Sequence, residues 1–206
     1  MERFEITQSL LSSWNYAYSC SEECFDSSMH SFLLSLRRER EELTPEEAQN
    51  IQNGLDFESA VYSLASGNPY SGNPKWERGA ARIADIVKGA QFQVRIHKPI
   101  TVKGMNFEIH GVLDALRAGT IFDIKFKNKP FSSSDPVGAY MDSPQHPFYF
   151  YLVPAAEKFV YAVSDGDDFY LEAYTPEDTI PAEKIIAEFV DFLASQNLLD
   201  VYKANW

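Results

Sequence analysis

Apolar residues recur at helical spacing along much of the chain. Ile6, Leu10, Trp14 and Ala17 form one stripe, which predicts an amphipathic helix over residues 4–19. A second strong signal comes at residues 44–47, where a threonine cap, a proline and a glutamate form a capping-box sequence. The predicted helices are residues 4–19, 25–42, 44–65, 75–89, a helix that begins near residue 144, and 181–196.

Runs rich in β-branched and aromatic residues alternate with these helices. They predict strands over residues 92–97, 107–116, 121–128, 158–163 and 168–174. Such a sequence of elements favours an α/β (α+β) fold, in which helices flank a central mixed sheet of about five strands. At 206 residues, one domain is expected, with N-terminal helices in 1–45, a core in 46–150, and further strands and a helix in 151–206.

The most informative stretch is residues 107–128, which read FEIHGVLDALRAGTIFDIKFKN and predict a β-hairpin. If Ala118 and Gly119 form the turn, the register places Asp114 directly opposite Asp123. Two carboxylates opposed across neighbouring strands repel each other unless positive charge lies between them. The hairpin therefore contains a pair of residues that needs a physical explanation.

Strand periodicity adds Lys125 to the same face as Asp114 and Asp123, with His110 and Val112 leading into it. Two aspartates beside a lysine suit a divalent cation with oxygen ligands and a water or phosphate nearby. The alternative is a solvated face on which three charges fall together by chance.

A further carboxylate lies in the predicted helix 44–65. Glu58 shares a helical face with Leu55, Val61 and Tyr62, so it points toward the core. A buried charge is costly unless it is paired or binds a metal. The alternative is that Glu58 lies at the edge of the apolar stripe and reaches water.

The net charge of −12 argues against nucleic-acid binding by the whole surface. The charge is unevenly distributed, however. Residues 88–130 carry eight Lys or Arg and three Asp or Glu, a balance of +5, whereas the rest of the chain carries −17. An acidic protein can thus present one basic groove to a phosphate backbone.

The two cysteines, Cys20 and Cys24, are too few for a four-thiolate zinc or iron–sulfur site, although histidines could join them. Reduced structural thiols are expected. No apolar run is long enough to span a bilayer, and residues 1–5 lack a basic region followed by an apolar stretch. A cytoplasmic protein without membrane association is therefore expected.

Four features occur in the order seen in the PD-(D/E)XK nucleases. They are Glu58 in a helix, Asp114 at the end of a strand, Asp123-Ile124-Lys125 in the next strand, and Gln145 with Tyr149 in the following helix. The pattern most resembles the branch with the RecB nuclease domain, lambda exonuclease and related phage nucleases. The resemblance covers residues 50–150, and residues 12–20 more loosely resemble the N-terminal helix of RecB-like phage proteins. Leu113 stands where the family name has a proline.

The resemblance implies a restriction-endonuclease-like core and roles for individual residues. Asp114, Asp123, Glu58 and the backbone carbonyl of Ile124 would bind Mg²⁺ or Mn²⁺, and Lys125 would orient or help deprotonate the attacking water. Gln145 and Tyr149 would contact the substrate strand or hold the lysine and the DNA end. Lys127 and Lys129, in the basic surround, would also bind substrate.

The implied activity is a metal-dependent DNA nuclease, an exonuclease of phage-type recombination or repair. Two alternatives stay open: a catalytically silent nuclease-fold protein that binds protein or DNA as an inhibitor, and a structure-specific endonuclease. The resemblance also names DNA and a single-strand annealing or other recombination protein as candidate partners. Some relatives form rings around DNA, so a homo-oligomer is a further expectation. Relatives with an iron–sulfur cluster need four cysteines, so no such cluster is expected.

Overall fold

A computed structural model describes residues 3–132 and 138–206 of the protein. In these ranges seven α-helices flank a six-stranded mixed sheet, which confirms the predicted fold class with one strand more than expected. The strands are β1 Phe4–Thr7, β2 Gln91–Val102, β3 Met105–Arg117, β4 Thr120–Phe126, β5 Lys158–Ser164 and β6 Phe169–Tyr174. The helices are α1 Gln8–Ser19, α2 Glu22–Leu36, α3 Pro45–Ala65, α4 Glu77–Val87, α5 Gln145–Leu152, α6 Ala182–Ser195 and α7 Leu199–Asn205.

The sheet forks at its longest strand, β3. Strand β2 pairs antiparallel with β3 from Met105 to Leu116 and so occupies one edge. The other edge is shared, because β1 pairs parallel with residues 107–110 and β4 pairs antiparallel with residues 115–117. Residues 111–114 therefore lie between two diverging partners. Beyond the fork, β4 continues parallel to β5, which pairs antiparallel with β6.

Two hydrophobic clusters make up the core. The larger one joins α1, α2, α5, α6 and α7 to the sheet through aromatic residues such as Phe107, Phe159 and Phe189. The smaller one packs α3 and α4 on the sheet through Phe57, Val61 and Ile83. Burial of this apolar surface is the main favourable contribution to folding, and it fixes α3 and α5 relative to β3 and β4.

The main differences between the predicted and observed elements concern two predicted helices and one helix that was not predicted. Residues 4–7, expected to begin a helix, form β1, because Phe4 and Ile6 alternate into the core while the backbone pairs with β3. The second helix ends at Leu36, so the charged run 37–42 lies outside it. The sequence pattern also did not predict α7. In this helix the Tyr202 hydroxyl donates to the Glu5 carbonyl at 2.6 Å, so α7 contacts β1 directly.

The start of α3 is as predicted. The Thr44 hydroxyl accepts from the Glu47 backbone N–H at 3.2 Å, and the Glu47 carboxylate accepts from the Thr44 N–H at 2.8 Å. This capping box satisfies two backbone donors that have no partner within the helix. Within the described ranges, no helix has both the length and the apolar character needed to cross a membrane.

Candidate active site

The predicted hairpin is present, with its expected register. Arg117 pairs with Thr120 across a turn of Ala118 and Gly119, both of which have positive φ. The ladder continues to Ala115 and Phe122 and then stops, one pair before the two aspartates. The strands diverge at the fork, so Asp114 and Asp123 lie at the open end of the hairpin.

At this point the Asp114 side chain accepts a hydrogen bond that a strand carbonyl would otherwise accept. Its Oδ2 accepts the Ile124 N–H at 2.8 Å, so a side chain replaces a ladder carbonyl. Burial raises the pKa of Asp114 well above its usual value, and the charges of Asp123 and Glu58 raise it further. The Ile124 N–H and the charge of Lys125 only partly offset these effects. Cation binding would relieve this carboxyl group of a large electrostatic penalty.

Asp123 is only 4% exposed and contacts two different partners. Oδ1 accepts from the Gln145 side-chain amide, and Oδ2 lies 2.8 Å from the Lys125 ammonium. The lysine is close enough for an ion pair, yet among the described residues the geometry leaves Oδ2 without a hydrogen bond. Burial raises the pKa of Asp123, and Lys125 and Gln145 oppose that shift. Oδ2 is thus a buried oxygen whose one close polar partner among the described residues is the Lys125 ammonium.

Helix α5 contacts both β3 and β4 where the two strands diverge. Gln145 contacts Asp123 on β4, while the Tyr149 hydroxyl donates to the Val112 carbonyl on β3 at 2.8 Å. Residues four apart share one helix face, which is why both side chains reach the fork. Gly111 permits this packing, since a Cβ there would lie 2.5 Å from Leu152 Cδ1 and 2.7 Å from Tyr149 Cε1.

Glu58 lies on α3 and is half-buried, whereas Leu55, expected on the same inward face, is exposed. Glu58 Oε1 accepts from the Tyr62 hydroxyl and from the Gln93 side-chain amide, the latter at 2.8 Å. The pKa of Tyr62 is raised well above its ordinary value, first by burial and then by the charges of Asp114 and Glu58. The phenol therefore stays protonated and donates to Glu58.

The residues fit a hard divalent cation in donor type and charge. Asp114, Asp123 and Glu58 are close enough to influence the same pKa, and Asp123 Oδ2 is a buried oxygen with the Lys125 ammonium as its close partner among the described residues. Within residues 3–132 and 138–206, however, no three His, Cys, Asp or Glu side chains converge as a preformed metal site.

The remaining predicted residues lie around this centre. The Lys127 ammonium packs over the Phe131 ring at 5.5 Å, just past the end of β4, and Lys129 is exposed. Their role in substrate binding stays a prediction. His110 stacks on His97 with ring centroids 5.8 Å apart, and both line a cavity of about 410 Å³ that Tyr149 also borders. Cys20 and Cys24 are half-buried free thiols.

Sequence reasoning did not identify Tyr62, Gln93 or Gly111 as parts of the site. A glycine inside a strand pattern signals close approach of another backbone or side chain, so Gly111 could have been found. The helical pattern places Tyr62 on the apolar face of α3, which agrees with the packing of its ring on Phe92 but does not predict its hydroxyl contact with Glu58. No sequence signal marks Gln93, because glutamine rarely adopts a positive φ and the local sequence does not predict one.

No family model and no curated protein matches the sequence. Among solved structures, the crystal structure of SSO0001 matches with a TM-score of 0.52 at 16% identity, over 96% of this chain and 78% of that one. Likeness at this level of identity concerns the fold alone.

Two crystal structures of Scheffersomyces stipitis Rai1 also match. One gives a TM-score of 0.38 at 13% identity. The other, in complex with (3′-NADP)+ and calcium ion, gives 0.43 at 12% identity. Each match covers 95% of this chain, which spans 62% of the Rai1 chain.

Proposed function

We propose that the protein is a divalent-cation-dependent nuclease of PD-(D/E)XK type that hydrolyses phosphodiester bonds in DNA. The observation that carries the proposal is the open end of the hairpin. Asp114 and Asp123 meet there on diverging strands, and the Lys125 ammonium lies 2.8 Å from Asp123 Oδ2. Both carboxyl groups have raised pKa values, which a bound cation would reverse.

The chemistry of hydrolysis agrees with these residues. Water attacks the phosphorus in line with the leaving oxygen, the P–O bond to that oxygen breaks, and negative charge accumulates on the phosphate. Asp114, Asp123 and Glu58 would hold a Mg²⁺ or Mn²⁺ ion, which would supply positive charge that favours ionisation of the water. Lys125 orients the water and offsets charge on the phosphate, as preorganised cationic groups do in other sites.

Helix α5 supports the same proposal from the other side. Gln145 holds the Asp123 carboxylate, and Tyr149 fixes the β3 arm through its hydrogen bond to the Val112 carbonyl. Burial raises the pKa of Tyr149, so the phenol remains a donor at neutral pH. We assign these two residues to positioning of the catalytic groups, with the DNA strand beyond them along the basic residues 88–130.

The test is digestion of end-labelled linear DNA and of circular DNA with Mg²⁺ or Mn²⁺. Wild-type protein should degrade linear DNA only when the cation is present. Lys125→Ala should lose at least about 10²-fold in rate, as expected when charge stabilisation is removed. Lys158→Ala is the matched control, because Lys158 is an exposed lysine at the turn end of the neighbouring strand. Equal activity in the two variants would contradict the proposed site.

The same assay separates the alternatives. Degradation confined to linear DNA supports an exonuclease, while cutting of circular DNA supports an endonuclease with the same residues. The charge of −17 outside residues 88–130 is the observation that favours a catalytically silent binding protein. That function predicts no digestion of either DNA with any cation.

A further inference from the structure

The backbone of β2 is strained at one residue, beside the site. Gln93 has φ +51°, a left-handed conformation that L residues other than asparagine and aspartate rarely adopt. The β2–β3 ladder pairs Phe92 with Ala115 and Val94 with Leu113, but it omits the intervening pair of Gln93 and Asp114. Strain of this kind persists where neighbouring structure enforces it, and it concentrates at functional sites.

The strained conformation places the Gln93 side chain on Glu58. Its Nε2 donates to Glu58 Oε1 and to the Tyr62 hydroxyl, each at 2.8 Å. The Tyr62 hydroxyl in turn donates to the same Oε1. The three atoms are mutually within hydrogen-bonding distance, so one amide hydrogen of Gln93 is shared between Glu58 Oε1 and the Tyr62 oxygen, while the phenol hydrogen points to Oε1. The Tyr62 ring is held by Phe92, with ring centroids 4.8 Å apart.

One oxygen of Glu58 is thus occupied and the other is not. Oε1 receives two donors, whereas Oε2 accepts no hydrogen bond from any residue in the described ranges. Carboxylates that bind metals are commonly fixed in this way by outer hydrogen bonds, and loss of such partners lowers affinity or activity by about 10- to 100-fold.

We infer that Gln93 is a positioning residue, whose strained backbone keeps its amide on Glu58 Oε1 and leaves Oε2 to complete the cation site with Asp114 and Asp123. This inference rests on the proposed function, because it assigns Glu58 to the cation. Gln93 acts through Glu58 and contacts neither aspartate through a hydrogen bond in the described structure.

Two glycine substitutions isolate this role. Gln93→Gly removes the strain and the amide together, so the cation-free protein should unfold at a midpoint no lower than wild type. Ala118→Gly is the matched control, because Ala118 has φ +46° in the β3–β4 turn and no side chain that reaches the site. It should relieve similar strain and leave cleavage and cation dependence unchanged.

The expected result is that Gln93→Gly lowers cleavage by about 10- to 100-fold at limiting Mg²⁺ and regains much of it at high Mg²⁺. Full activity with unchanged Mg²⁺ dependence would overturn the inference. So would a lowered unfolding midpoint together with an unchanged Mg²⁺ dependence, since that combination describes a merely structural residue.

A readout without DNA keeps the inference distinct from the proposed function. Mn²⁺ should raise the unfolding midpoint of wild type and Ala118→Gly equally, and that of Gln93→Gly less. An equal rise in all three proteins overturns the role of Gln93. A smaller rise in Gln93→Gly supports that role, even if wild type cleaves no DNA and the proposed function fails.

Discussion

The two ends of the β3–β4 hairpin are built from the same two strands but organised differently. At the turn end, residues 115–122 form regular ladder pairs around Ala118 and Gly119. At the open end, the Ile124 N–H bonds to the Asp114 side chain, and Asp123 Oδ2 faces the Lys125 ammonium at 2.8 Å instead of a backbone donor. The turn end satisfies its backbone groups through ladder bonds, whereas at the open end the Asp114 side chain accepts from the Ile124 N–H and Gln145 of α5 donates to Asp123. The sheet therefore opens where the carboxylates are placed.

The open end is maintained at an energetic cost. The raised pKa values of Asp114 and Asp123 mean that the folded state favours their neutral forms. Their contribution to stability is therefore present below the unfolded pKa and is lost as pH rises through the folded pKa. At neutral pH without a cation, the two aspartates destabilise the fold. This cost is expected of a site preorganised for a positive ligand.

The largest expected effect is the loss of cleavage when a carboxylate at the open end is replaced by a neutral amide. Asp123→Asn should lower cleavage by about 10²- to 10³-fold or more, because it removes a charged ligand. The same variant should raise the cation-free unfolding free energy at pH 7 by about 1 kcal/mol, since it removes a buried charge. Cleavage rates and urea denaturation measure the two effects. Asp26→Asn, at an exposed position in α2, should change neither, and a parallel loss in stability and activity of Asp123→Asn would contradict this picture.

The next largest effect should be a loss of stability when the space between α5 and β3 is filled. Gly111→Ala places a Cβ against Tyr149 and Leu152, so we expect a loss of about 3 kcal/mol in unfolding free energy from overpacking. Gly54→Ala in α3 is the control, because a Cβ added there would meet no atom within 4 Å among the described residues. That change should stabilise the protein by about 0.5 to 1 kcal/mol. Chemical denaturation that shows the same sign for both variants would disprove the packing explanation.

His146 extends the contrast, because burial favours its neutral form as it does for the aspartates but shifts its pKa in the opposite direction. It is buried on α5, with Nδ1 3.1 Å from the Tyr161 hydroxyl, and burial lowers its pKa to about 4. Between pH 6.5 and 4 the unfolded state binds more protons at this group, so its contribution to stability is lost as pH falls.

The expected loss from His146 between pH 7 and pH 5 is about 2 kcal/mol. Urea denaturation of wild type and His146→Gln at both pH values isolates it, because the aspartates contribute alike in the two proteins. A pH dependence that is the same in both proteins would remove His146 from the explanation.

Local sequence signals predicted the turn end of the hairpin. The features that they did not predict depend on contacts between residues far apart in the sequence. The hairpin register follows from Gly119 and the strand alternation, and the α3 start follows from Thr44. The sequence pattern does not predict a strand at residues 4–7, because a four-residue strand carries little periodicity and its partner, residues 107–110, is distant in the sequence. The order of Glu58, Asp114, Asp123 and Lys125 was visible in the sequence. The conformation of Gln93 was not, because tertiary contacts enforce it against local preference.

The measurement that tests the central claim most directly is calorimetric titration of Mn²⁺ into wild type, Asp114→Asn and Asp123→Asn at neutral pH. If the open end of the hairpin holds the cation, wild type should bind Mn²⁺ there and each variant should lose that binding. The folded state of each variant is checked by its unfolding midpoint, which should not fall. Undiminished Mn²⁺ binding in both folded variants would contradict the assignment of the open end as the cation site.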